Sequence, residues 1–262
     1  MHDFIGGLPP SLAVQKRLLA GLLTAVEADD RWEWLELGCS VAAGRGDELS
    51  DLDMGLGYLD EAVVSTVDGI LRALGDVVDV SAQPYGGLPR WWVQYADGGQ
   101  IDLVAMPAAD RRGLPPGSVA LLDRAGRLSV PVRPSMLSAS PDDPRNWLLD
   151  GWEALSNVAK YLRRGSLLEA LDQVHRARER VFQLWAAGSG VPYPAFGLTS
   201  LLDEPGPSLP PGIHATYAVP EYESVKAAAL ATATLLAQAA HHAQRDLDTP
   251  LRAYVTSRLH TA

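Results

Sequence analysis

SVAAGRGDELSDLDMGL, residues Ser40–Leu56, sets two acids, Asp51 and Asp53, one leucine apart where a loop gives way to an apolar run. On a strand, side chains at i and i+2 project from one face. The spacing therefore stands the two carboxylates side by side while Leu52 and Met54 point into a core. Carboxylates held that close repel, and one tends to stay protonated unless a cation sits between them. Mg2+ meets that need, because it takes carboxylate oxygens, substrate phosphates and water together. The plainer reading is a strand start with exposed acids at the rim of a sheet, and Asp-x-Asp alone does not decide between the two.

Two further features favour the metal reading. The residues before the acids, Ser40–Gly46, are mostly small, which lets backbone N–H groups approach an anion. The hydroxyls of Ser40 and Ser50 can add donors to a phosphate. Asp102 is the second feature, and it sits mid-strand in Ile101-Asp102-Leu103-Val104, flanked by apolar residues, where a charge needs a partner. A neighbouring strand carrying Asp51, Asp53 and a metal supplies one. Three carboxylates beside a glycine-bearing loop outline a phosphoryl- or nucleotidyl-transfer site. The third acid there binds metal or takes a proton from the nucleophile.

The rest of the chain supplies the frame. Residues 12–27 have helical apolar spacing after Pro9-Pro10-Ser11, and 32–37 alternate as a strand. A second strand is expected at 52–58, a helix over 61–74 and a strand over 76–82. Residues 91–96 and 100–106 form a hairpin around Asp97-Gly98-Gly99. Prolines at 131–145 break the pattern and mark a boundary. Beyond it, 147–164, 166–187 and 221–246 read as helices, with a Pro/Gly-rich connection at 203–212. The fold class is α+β: an N-terminal domain (1–134) with a mixed or antiparallel sheet, then a C-terminal helical bundle (135–262).

Composition narrows the partners. The 262 residues carry a formal net charge of −10, which suits neither stable nucleic-acid binding nor phosphate neutralisation as a main role. An acidic surface fits a cationic small molecule, although it also simply confers solubility. No apolar run reaches membrane-spanning length and no secretory signal is evident. Cys39 is the single cysteine, so an intramolecular disulfide and a thiolate metal cluster are both excluded. A reducing cytoplasm is the default expectation for such a chain.

Ser40–Leu56 resembles the signature of the DNA polymerase β-like nucleotidyltransferase superfamily: Gly-Ser, a short glycine-bearing loop, then Ser-Asp-x-Asp running into a strand. Cys39 stands where that pattern has the glycine before serine. The segments Tyr95–Leu103 and Ala120-Leu121-Leu122-Asp123-Arg124 are similar to the aminoglycoside 6-adenylyltransferase family, as are Val158–Leu162 and Leu168–Asp172 in the helical half. The resemblance spans roughly residues 35–245. It implies transfer of AMP from ATP-Mg2+ to an aminoglycoside hydroxyl, with release of pyrophosphate. Asp51 and Asp53 are then metal ligands, Asp102 the third metal-binding carboxylate and a possible general base, and Ser40 and Ser50 triphosphate contacts. Relatives of this kind are monomers or homodimers.

The helical half offers further candidates. Asp150, Glu153, Asn157 and Lys160 fall within an arc of about 80°, with Trp152, Leu155, Ala159 and Leu162 opposite. They read either as a solvated face or as a ligand stripe, with Lys160 on phosphates and Asp150 or Glu153 on substrate ammonium groups. Trp91 and Trp92 face opposite sides of their strand, so one is core and the other is free to stack on a base or sugar. His241, His242 and His260 are a weak metal candidate. Alternative functions are an AMP-attaching enzyme acting on a protein, as in toxin–antitoxin systems, and a nucleotide-binding module that has lost catalysis. The protein-modifying enzyme predicts a co-purifying partner and no antibiotic turnover, and the presence of all three acids argues against the module without catalysis.

Overall fold

Alternation of apolar and polar residues makes strands in the first half of the chain, and 3.6-residue periodicity makes helices in the second. The computed structural model describes residues 2–111, 113–130, 132, 137–140, 142–204, 206, 208–244 and 250–262. The chain divides into two units, Met1–Arg133 and Pro134–Ala262.

The first unit runs α1 (His2–Gly7), α2 (Ala13–Glu27), β1 (Trp32–Leu37), α3 (Cys39–Ala42), β2 (Leu52–Tyr58), α4 (Val67–Ala73), β3 (Val77–Ala82), β4 (Arg90–Tyr95), β5 (Gln100–Pro107) and β6 (Val119–Asp123). The sheet order is β3-β4-β5-β2-β1-β6. Among the described strands only the β2–β5 pair is parallel, and the other neighbours are antiparallel. The sheet is therefore mixed. One face packs Leu35, Leu37, Leu52, Met54, Leu56, Ile101, Leu103 and Ala105 against Leu18, Leu19, Leu22, Leu23 and Val26 of α2.

Three local outcomes differ from the expected pattern. Register slips between Trp32 and Trp34, where a bulge turns the strand over. Trp32 therefore joins the core against α2, while Trp34 packs with Ala108 and Leu128 on the other side. Over 61–74, the first six residues, Glu61–Thr66, form a tight 3-10 turn before α4 begins. Ser65 and Thr66 donate their hydroxyls to the carbonyls of Ala62 and Val63, and Val63 and Val64 are stiff at χ1, so an α-helix is disfavoured there. Finally, β6 adds an edge strand beside β1 over a short segment that periodicity does not single out.

The second unit contains α5 (Asp143–Arg163), α6 (Leu167–Gly188), α7 (Leu198–Asp203), α8 (Tyr222–His242) and α9 (Pro250–Thr261). Trp152, Leu155, Val158 and Leu162 of α5 share a core with Val174, Val181 and Phe182 of α6 and Val225, Ala229 and Leu236 of α8. Gly151 lets α8 approach α5: a Cβ there would lie 2.8 Å from Leu236. Helix α8 stops at His242, ahead of Gln244 at φ 55°. Residues 245 and 246 of the expected 221–246 helix lie outside the described residues, as do 131, 133–136 and 141 of the proline-rich boundary. No described helix is long and apolar enough to cross a membrane.

Candidate active site

Parallel pairing of β2 and β5 decides the site. Asp53 is the direct register partner of Asp102, with Leu52 beside Ile101 and Met54 beside Leu103. Neighbouring strands lie about 4.8 Å apart, so two carboxylates leave adjacent backbones on the same face. Both residues are half-buried, whereas Leu52 and Met54 are buried on the opposite face. Asp51, also half-buried, immediately precedes β2. The three acids are thus gathered at one end of the central strand pair.

The loop after β1 lies against this end. The amide of Gly38 donates to the carbonyl of Asp53 at 2.8 Å. A Cβ on Gly38 would lie 4.0 Å from that of Asp53 and 3.7 Å from Ser118 Oγ. Cys39, where the resembling pattern has glycine, takes a left-handed φ of 56°. Ser40 is half-buried in α3. Ser50 is engaged within the loop, where its Oγ accepts from the amide of Asp47 at 2.9 Å and lies 3.2 Å from Asp47 Oδ1. Buried Gln15 fixes the loop from beneath, donating Nε2 to the carbonyls of Ser50 at 2.8 Å and Glu48 at 3.3 Å.

Arg90 is the residue that sequence reasoning missed. It starts β4, on the same face as Trp92, and its guanidinium grips Asp102 in two places. Nε donates to Oδ1 at 2.7 Å and Nη2 donates to Oδ2. The Asp102 hydrogen bonds push the Arg90 pKa up, with the charge of Asp102 and smaller contributions from Tyr85 and Asp53 acting the same way. Trp92 is the register partner of Asp102 and is half-buried on this face, while Trp91 is core. The signal for Arg90 is present only as a cross-strand diagonal, two positions before Trp92, which requires the β4–β5 register.

A second ion pair lies further along the same face. Glu36 is the register partner of Gly55, and Arg111 donates to it from Nη2 at 2.7 and 3.0 Å and from Nε at 3.3 Å. The two side chains are only 13% and 14% exposed. Burial pushes the Glu36 carboxyl up, and the charge and hydrogen bonds of Arg111 oppose it. Gly55 and Gly57 make room for what crosses them. A Cβ on Gly55 would lie 2.7 Å from Glu36, and one on Gly57 2.1 Å from the Trp34 ring.

The remaining candidates sit in the helical unit. Asp150 and Glu153 are exposed on α5, and Asp150 lies 3.5 Å from Arg180. Lys160 donates to Asn157 Oδ1 at 2.8 Å and stands 4.5 Å from the Tyr161 ring centroid. His242 stacks on Trp185 at 4.2 Å and reaches Ser189 Oγ at 3.2 Å. His260 Nδ1 lies 2.8 Å from the carbonyl of Thr256, and among the described residues these histidines do not form a group of three or more metal-ligating side chains. In the segment Ala120–Arg124, Asp123 is occupied with the amides of Arg127, Leu128 and Ser129.

Carboxylate oxygens are hard donors of the kind Mg2+ takes, usually one or two from protein with phosphate and water completing the shell. Among the described residues, no group of three or more His, Cys, Asp or Glu side chains is set to hold a metal ion unaided. Asp102 is engaged with Arg90, and Asp51 and Asp53, one leucine apart at the start of β2, carry the donor type such a partly hydrated ion takes.

No family model matches the sequence, and no curated protein does. Among solved structures the chain is similar to an aminoglycoside 6-adenyltransferase from Bacillus subtilis, at 14% identity over 93% of this chain and 96% of that one, with a TM-score of 0.41.

Proposed function

We propose that this protein is a metal-dependent nucleotidyltransferase that moves AMP from ATP to a hydroxyl of a small cationic molecule, an aminoglycoside by the resemblance of its sequence motifs. The observation that carries the reading is the register of β2 and β5, which sets Asp53 beside Asp102 with Asp51 two residues upstream. In the reaction the acceptor oxygen bonds to the α-phosphorus, the bond to the β-phosphate oxygen breaks, and pyrophosphate leaves. Bound Mg2+ supplies charge neutralisation at the phosphates. Asp51 and Asp53 would hold it, Asp102 is the third carboxylate, and either Asp102 or an acid of the helical unit accepts the hydroxyl proton.

Ser40 is the loop residue assigned to the triphosphate. Ser50 carries the same expectation from sequence, but its hydroxyl is bonded to Asp47, so it acts by shaping the loop or exchanges that bond when nucleotide binds. Trp92 offers a ring beside Asp102 for a base or sugar. In the helical unit, Lys160 is the candidate for phosphate, and Asp150 and Glu153 are candidates for substrate ammonium groups.

The test is pyrophosphate release from ATP-Mg2+ across an aminoglycoside panel that includes streptomycin, with Asp53→Asn as control. One compound should support release, and the variant should lose it by on the order of 10³-fold. Release that survives in Asp53→Asn would remove the site assignment. Bound ATP without turnover of any aminoglycoside would remove the acceptor class and turn attention to protein hydroxyls.

A further inference from the structure

Resting on that reading, we infer that Arg90 is an exchangeable counter-ion. It occupies the cation position at Asp102, so the site takes up metal well only when nucleotide arrives with it.

The argument starts from charge. Asp53 and Asp102 leave adjacent backbones on one face, and like charges at that spacing need a cation between or beside them. Arg90 provides it through two parallel hydrogen bonds, the geometry in which a guanidinium holds a carboxylate most firmly. Both oxygens of Asp102 already accept from the arginine, so a metal at Asp102 must compete with the guanidinium for them or displace it. The pair is accessible: the side chains are 34% and 23% exposed, which allows exchange. A buried pair such as Glu36–Arg111 has no such freedom.

Displacing a guanidinium without giving it a new anion is costly. A free divalent ion brings none. A metal-bound triphosphate brings phosphate oxygens, which suit the same fork. Nucleotide therefore does two things here: it completes the metal shell and it receives Arg90. Arg90 is a positioning residue in this scheme, controlling the availability of Asp102 to metal and proton.

Mn2+ binding to the full-length protein, followed by electron paramagnetic resonance without ATP, tests this directly. Native protein should bind Mn2+ weakly, and a non-hydrolysable ATP analogue should tighten binding by tenfold or more. Arg90→Gln and Arg90→Lys should each bind Mn2+ alone about tenfold more tightly, roughly the effect of one charge-assisted hydrogen bond, and should gain correspondingly less from the analogue. The lysine variant separates the explanations, because it keeps the positive charge but not the two-point grip. Tighter binding in Arg90→Gln alone would reduce the effect to a general field and overturn the inference. So would unchanged affinity in both variants. If Arg90→Gln melts early, Arg90→Lys carries the test alone. Mn2+ binding that persists in Asp53→Asn would place the ion elsewhere, defeating the proposed function as well as this inference.

Discussion

On one face of β2 and β5, Leu52, Met54, Leu56, Ile101, Leu103 and Ala105 pack against α2 with almost no exposure. On the other, the same two strands carry Asp53, Gly55, Gly57 and Asp102, crossed by two arginine–carboxylate pairs and a tryptophan. The backbone is shared and the chemistry is opposite. Period-two alternation allows this, because each strand buries one set of residues in the core and presents the other set, here the acids and glycines, on the opposite face. Position along the strand says little about a residue's role, whereas its parity says nearly everything.

Substitutions at neighbouring positions of opposite parity separate the two faces most cleanly. Asp102→Asn should cost on the order of 10³-fold in the proposed transfer reaction, with a stability loss, from its partly exposed pair with Arg90, smaller than that of the core substitution beside it. Leu103→Ala, one residue on, should cost about 2–5 kcal/mol of stability, read by denaturant unfolding, with activity per folded molecule preserved. An Asp102 variant that unfolds but stays active would invert the assignment of faces.

Arg111→Ala strands the buried Glu36 carboxylate and should destabilise the fold by about 3 kcal/mol at neutral pH. Burial raises the folded-state pKa of Glu36 above its ordinary 4.5, and Arg111 restrains that rise. Removing the arginine widens the gap. The folded state then binds more protons than the unfolded chain between the ordinary and the raised pKa, so stability falls as pH rises through that window. The deficit of the variant should therefore shrink on acidification; a deficit that stayed constant with pH would mean that Glu36 is not the stranded group.

Gly57→Ala tests how tightly the acid face is packed. Its Cβ would meet the Trp34 ring at 2.1 Å, so about 1–3 kcal/mol should be lost and the Trp34 near-ultraviolet signal should change. An alanine accepted without cost would mean that the ring is not held over the strand. Smallest is Cys39→Gly, which relieves a left-handed φ and should gain roughly 0.5 kcal/mol after the extra chain entropy of glycine is counted. Thermal melting should rise by about 2 °C, and a fall would show that the Cys39 side chain contributes contacts worth more than the strain.

Much of this was legible in the sequence because the signals are local. Asp-Gly-Gly between alternating runs announces the β4–β5 hairpin, and the apolar residues flanking Asp53 and Asp102 place both acids on strands. The Trp32–Trp34 bulge was not legible, since a register slip leaves the apolar pattern unchanged and only reassigns which tryptophan faces which side. Arg90 and Arg111 were hidden for a different reason. Arg90 meets Asp102 through strand register, and Arg111 meets Glu36 across 75 positions, so neither pair leaves a spacing that a single sequence reveals. Helix α9 also went unread, because its buried apolar residues, Val255 and Leu259, are too few to make a stripe.

The parallel pairing has a kinetic consequence. Asp53 and Asp102 are far apart along the chain and become neighbours only when β2 docks on β5, a non-local step that carries a large share of the loop-closure entropy. The β4–β5 hairpin is local and closes on its own schedule, with Arg90 and Asp102 only 12 positions apart. Asp102 therefore gains its guanidinium partner across a shorter loop, and at a smaller closure cost, than it gains its pairing with Asp53.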